Sequence, residues 1–290
     1  MTTPSAVPSG APGAPVAEPP APVAELPARF GDLLAAEWIK MRSLRSTPWT
    51  FAFVVLFVIG SAAAASLAEV DNIGRAGSDA RTDQGFLVFD AFPAAGYLTL
   101  MLVAGSVGAL TVVGEYGSGL IRTTTVAVPA RGSVVLAKAV TLAAVWTAVG
   151  AAVSTGAFLL SQAILSGRHA GVPFDRPGVL RALVASTLLA PVCALVGVGL
   201  GVLIRHGAAT MVTTAFTLLM LQPMFSDSRR WSADVNHAMV ATAWRRLLEY
   251  WEPDTSLGYT ATIAGSWTVL ALWPVIAIVL ALVVVGRRDV

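Results

Sequence analysis

Six long apolar runs, at about 49–68, 94–113, 138–165, 180–204, 208–225 and 262–285, constrain this chain more than any other feature. At 1.5 Å rise per residue, such runs match helices that cross a hydrocarbon core of roughly 30 Å. Composition agrees: 56% of residues are hydrophobic, 12% are charged, and the mean hydropathy is +0.72. Soluble domains carry about 25% charged residues. A soluble enzyme, a disordered regulator and a disulfide-stapled module are excluded as descriptions of the whole chain. The pattern predicts an all-α integral membrane protein, a six-transmembrane-helix bundle over residues 28–290. The third run is long for one crossing and should tilt or protrude. Only Arg205, His206 and Gly207 separate the fourth from the fifth, which predicts a tight hairpin turn.

Charge orients the bundle. Nineteen Lys and Arg against seventeen Asp and Glu are near balance, so the basic pI reflects a few residues and not a nucleic-acid surface. Counting basic residues by loop hardly discriminates between the two orientations. Position does: Arg42 and Arg45 abut the first run, and Arg287 and Arg288 the last. The 69–93 loop carries Glu69, Asp71, Asp79, Asp83 and Asp90 against Arg75 and Arg81, which suits the outer side. Both termini are expected in the cytosol. Only Lys40 and Lys138 are lysines, which reads as the codon bias of a GC-rich, bacterial genome.

Residues 1–27 hold eight of the seventeen prolines and no Lys or Arg, the composition of a disordered tail without a signal-peptide pattern. From residue 28 the character changes. Phe30, Leu34, Trp38, Met41 and Leu44 recur at helical spacing, with Lys40, Arg42 and Arg45 interleaved. Glu37 falls inside the stripe and Ile39 outside it. The reading is an amphipathic helix on an anionic membrane surface, against the plainer one of a basic flank before a span. In the last outer loop, 226–261, Val240, Trp244, Leu247, Leu248 and Trp251 form a second stripe opposed by Arg245, Arg246 and Glu249. An interfacial helix and a helix that merely packs on the bundle are both open there.

Catalytic chemistry is sparse. There is no P-loop, since GEYGSG at 114–119 lacks the phosphate-binding lysine, and no HExxH pair. Ser106 has no intramembrane histidine to activate it, and between Gly105 and Gly108 it reads as a small packing residue, like the Gly197–Gly201 pair. Cys193 is the single cysteine, so neither a disulfide nor a cysteine metal site is expected. The centres of the six runs hold no ionisable residue, whereas ion-coupled transporters usually need one. Thr210, Thr213, Thr214 and Thr217 make a hydroxyl stripe along the fifth run, either a candidate translocation path or hydroxyls bonding back to their own helix.

Two stretches carry a family likeness: LLAAEWIKMRSLRST at 33–47, and GEYGSGLIRTTTVAVPARGSVVLAK at 114–138. In them the chain resembles the permease subunits of type-2 ABC exporters. The resemblance implies a connecting helix containing Glu37, Trp38, Lys40, Arg42 and Arg45. It implies a coupling helix over Glu115–Val126, with Glu115, Tyr116, Gly117, Gly119, Leu120, Arg122 and Arg131 at or beside an ATPase interface. It implies short re-entrant helices between spans five and six. The partners would be two copies of an ABC ATPase subunit, a second permease and membrane lipid, with no nucleic acid. This chain would bind no cofactor and catalyse no reaction, ATP and Mg residing on the ATPase. The expected role is export of a hydrophobic or amphipathic substrate across a bacterial cytoplasmic membrane. An ion-coupled secondary exporter and a non-transporting scaffold or immunity protein are the alternatives.

Overall fold

A computed structural model describes residues 29–76, 88–118, 131–167, 170–249 and 258–287. The described residues form helices and turns, with no strand among them. The proline-rich tail and the 119–130 segment, with Gly119, Leu120 and Arg122, lie outside the described residues.

Five helices among the described residues are long and apolar enough to cross a membrane. They are α2 (Ser46–Ala76), α3 (Ala94–Gly117), α4 (Arg131–Ser166), α5 (Val179–Ile204) and α9 (Ile263–Arg287). These features mark a multi-pass membrane protein. A shorter helix, α1 (Phe30–Ser43), precedes them. It opens where the Asp32 carboxylate accepts from the Arg29 backbone N–H at 2.9 Å, and it ends at an elbow around Leu44 and Arg45.

The expected fifth span is not one long helix. Residues Gly207–Ala215 form α6, which continues as a π turn over Phe216–Met220 and, after Leu221, a 3-10 turn over Gln222–Met224. The unbroken part, Gly207–Met220, is 14 residues, roughly 21 Å at 1.5 Å per residue. Pro223 cannot donate to an α-helical ladder and follows where it stops. Pro191 and Pro274, by contrast, lie inside continuous helices. Two short helices follow, α7 (Arg230–His237) and α8 (Val240–Leu248).

Helix α5 is the centre of the bundle, packing against α3, α4 and α9. Two thirds of its apolar window is buried, against 17% for α9, which leaves most of α9 facing outward. Close approach is made by glycine. A Cβ on Gly108 would run into the Ala194 carbonyl, and one on Gly197 into the Gly105 carbonyl. Gly105 and Gly108 therefore make the contact, while Ser106 between them is only half-buried. The Gly197–Gly201 pair allows the close packing its spacing predicts.

Candidate functional site: a ring of four charges at one end of the bundle

The two lysines of the chain meet. Lys138 lies two turns into α4, and its Nζ donates to Glu37 Oε2 of α1 at 2.5 Å and to Glu115 Oε1 of α3 at 2.9 Å. Lys40 Nζ donates to Glu37 Oε1 at 2.6 Å and to the same Glu115 Oε1 at 3.0 Å. The four side chains close a ring of alternating sign that joins three helices. Lys138, Glu37 and Glu115 are 6%, 8% and 13% exposed, whereas Lys40 is 43% exposed.

Burial alone would raise the Glu37 pKa, but the Lys138 and Lys40 ammonium groups outweigh it and hold the carboxyl below its ordinary value. Lys40 is the mirror case. Its burial would lower the pKa, and its bonds to Glu37 and Glu115 raise it.

Codon bias would explain how few lysines the chain has, but not where these two sit. An ammonium is a compact charge whose donors diverge from one atom, so one Nζ can serve two carboxylates from different helices. A guanidinium fork matches a single carboxylate instead. The sequence signal was available in two oddities. Two lysines stand among seventeen arginines, and Glu37 interrupts an otherwise apolar stripe. Glu37 is the buried residue of α1, whereas Phe30, Trp38, Ile39 and Leu44 are exposed. The predicted stripe thus divides, with Phe30, Trp38 and Leu44 exposed and Leu34 and Met41 half-buried, Met41 packing on the core.

Glu115, Tyr116 and Gly117 are the last three residues of α3. The Glu115 carboxylate takes the ammonium groups of both Lys40 and Lys138 as partners. Next to it, the Tyr116 ring lies under the Arg205 guanidinium, 4.9 Å from centroid to Cζ. Arg205 adopts a left-handed conformation (φ 56°) and makes the tight turn between α5 and α6. The end of α3 is therefore tied to α1 and α4 through Glu115 and to the α5–α6 turn through Tyr116. Arg131 opens α4, while Arg42 and Arg45 are exposed near and at the elbow after α1.

A second polar region occupies the other end of the bundle. Trp244 of α8 is fully buried, stacks on Tyr97 of α3 at 5.0 Å, and donates through Nε1 to Ser186 Oγ at 3.1 Å. Tyr97 in turn donates to Ser154 Oγ at 3.2 Å. Arg181 Nε and Nη2 donate to the Leu247 and Glu249 carbonyls at 3.0 and 2.6 Å, capping the C-terminus of α8. Val240, Leu247 and Leu248 are buried with Trp244, so the 240–248 stripe packs on the bundle. Trp251 lies outside the described residues. Beside α8, an open polar pocket of about 310 Å³ includes Asp227, Asn236 and His237, where Asn236 Nδ2 donates to Asp227 Oδ1 at 2.8 Å.

The threonine stripe divides. Thr210 and Thr214 are fully buried, and their hydroxyls have no hydrogen-bond partner. Thr213 and Thr217 are half-buried. The back-bonding alternative thus does not describe Thr210 or Thr214. Among the described residues, no group of three or more His, Cys, Asp or Glu is arranged to hold a metal ion.

No protein-family model matches the chain, and no curated protein sequence matches it.

Proposed function

We propose that the chain is the membrane-spanning subunit of an ATP-driven ABC exporter, moving a hydrophobic or amphipathic substrate with ATP hydrolysed by a separate subunit. The observation that carries this reading is the charge ring at the point where the 114–138 stretch leaves and re-enters the bundle. A segment that receives force from a partner needs a stiff footing. Here the last turn of α3 and the second turn of α4, on either side of 119–130, are bonded to one another and to α1.

On this reading α1 is the connecting helix and 119–130 includes the coupling segment. Residues 207–224 make the fifth of six crossings as a short helix extended by π and 3-10 turns, and α7 and α8 re-enter from the outer face. Both termini then lie in the cytosol of a bacterium, and the functional unit pairs two permeases with two ATPases. Central helix faces without charge suit an apolar cargo and disfavour an ion-coupled cycle. The test is affinity purification of the tagged full chain from its native membranes, with ATPase content and ATPase activity measured. Recovery of a stoichiometric ATPase is expected.

A further inference from the structure

A cleft of about 410 Å³ opens between α1, the last turns of α3 and the first turns of α4. This is a ligand-sized volume. The charge ring forms one wall, and Met41, Leu44, Leu110 and Leu142 supply apolar surface around the rest. Its depth in the bilayer follows from α4. That helix has 36 residues, about 54 Å, and must protrude several turns beyond a core of roughly 30 Å. Lys138 and Leu142 lie where its apolar run begins. Trp49, at the start of α2, is 79% exposed, and tryptophans anchor at the membrane interface. The cleft therefore opens at the boundary between acyl chains and headgroups.

Charge selects the occupant. The ring is neutral, two ammonium groups against two carboxylates. Arg42 and Arg45 are both exposed and have no hydrogen-bond or ion-pair partner among the described residues. Arg45 directly follows Leu44, a wall of the cleft. Lys40 Nζ uses two of its three donors inside the ring and is the exposed member of it. Lys40, which lines the cleft, thus keeps a cationic donor above an apolar slot, and Arg45 stands one residue beyond the Leu44 wall.

We propose that this cleft is a specific site for one anionic phospholipid of the surrounding membrane. Its phosphate sits on Arg45 and the third N–H of Lys40, and one acyl chain lies against Met41, Leu44, Leu110 and Leu142. The proposal rests on the multi-pass membrane assignment and is independent of any ATPase partner. Binding of such a lipid fastens α1 to the ends of α3 and α4 from the membrane side, as the ring fastens them from within.

Gly114 provides a clean test, because it lines the cleft and a Cβ there meets nothing within 4 Å. Gly114→Phe puts a phenyl ring into the slot and leaves all four charged side chains in place. The purified full chain is titrated with phosphatidylglycerol and with phosphatidylcholine, and bound lipid is counted by native mass spectrometry. One phosphatidylglycerol per chain should be retained at least tenfold more tightly than phosphatidylcholine. Gly114→Phe should lose that lipid, and Arg45→Gln should keep a lipid but lose the preference for the anionic headgroup. Val279→Phe, on the exposed face of α9, should behave as the unaltered protein. If Gly114→Phe does not fold, Leu110→Trp fills the same slot from a half-exposed position. Equal retention of the two lipids, or undiminished phosphatidylglycerol binding in a folded cleft-filling variant, would overturn the site. Failure to recover an ATPase would leave it standing.

Discussion

Lys138 and Glu37, 101 residues apart in the chain, meet at 2.5 Å and are both more than nine-tenths buried. Each holds the other in place, and each also bonds a second partner in the ring. A buried ion pair of this kind adds little net stability over an apolar pair of the same shape, but breaking it leaves a charge without compensation. The ring is therefore better understood as fixing where three helices meet.

That asymmetry predicts an order of damage. Lys138→Met should be the worst single change, destabilising by about 3–5 kcal/mol because both carboxylates keep only the half-exposed Lys40. Lys40→Met should cost clearly less, since Lys138 still serves both carboxylates and Lys40 already meets water. Thermal unfolding of the detergent-purified chain, followed by near-UV circular dichroism, reads the order. Equal effects would remove Lys138 from its central place.

The pH response follows from the two shifted groups. The Glu37 pKa lies below its ordinary 4.5, so its stabilising contribution is complete above about 4.5 and is lost as pH falls through the lowered value. The Lys40 pKa lies above its ordinary 10.5, so that contribution is complete below about 10.5 and is lost only at higher pH. Stability from the ring should be flat across neutral pH and fall in acid. Glu37→Gln should flatten the acid limb of a melting-temperature profile, and an unchanged limb would contradict the assignment.

At the opposite end, Arg181 answers two carbonyls at the terminus of α8. Arg181→Leu leaves those acceptors without a charged donor, at a cost of about 1–3 kcal/mol. The loss should be local. Hydrogen exchange should rise over 240–249 while α3 and α5 stay protected, and a uniform rise would mean that Arg181 supports the whole bundle.

Close packing gives a steric prediction. Gly108→Leu would drive a side chain into the Ala194 backbone and separate α3 from α5. Overpacking typically costs about 1–3 kcal/mol, and here the obstacle is backbone that cannot rotate away. Gly60→Leu, at an exposed position of α2 where a Cβ meets nothing within 4 Å, should not destabilise. Melting temperatures of the two variants measure the contrast.

Much of the architecture was legible because hydropathy needs no tertiary information. Five apolar runs of sufficient length became five long helices. The fifth run in order, 208–225, reads as one span, and its composition hides the register change to π and 3-10 turns before Pro223. The stripe at 240–248 was seen, but only tertiary contact with Tyr97 and Ser186 decides that its apolar face packs inward. The charge ring is not legible in the sequence as an object. Glu37, Lys40 and Glu115 each stand out in the sequence, yet nothing local links residues 37, 115 and 138, and Lys138 reads as the start of a span. Pairing across 75 to 101 positions is a property of the folded bundle alone.

On the proposed function, the ring braces a segment that docks on an ATPase. The most direct measurement is ATPase recovered per tagged chain from native membranes, comparing the unaltered protein with Arg122→Glu and with Arg229→Glu, which lies at the start of α7 on another part of the chain. Near one ATPase per chain is expected for the unaltered protein and for Arg229→Glu, and at least a tenfold loss for Arg122→Glu, whose reversed charge costs about 2–5 kcal/mol in a buried contact. Absence of any ATPase from the unaltered protein, or full retention by Arg122→Glu, would contradict it.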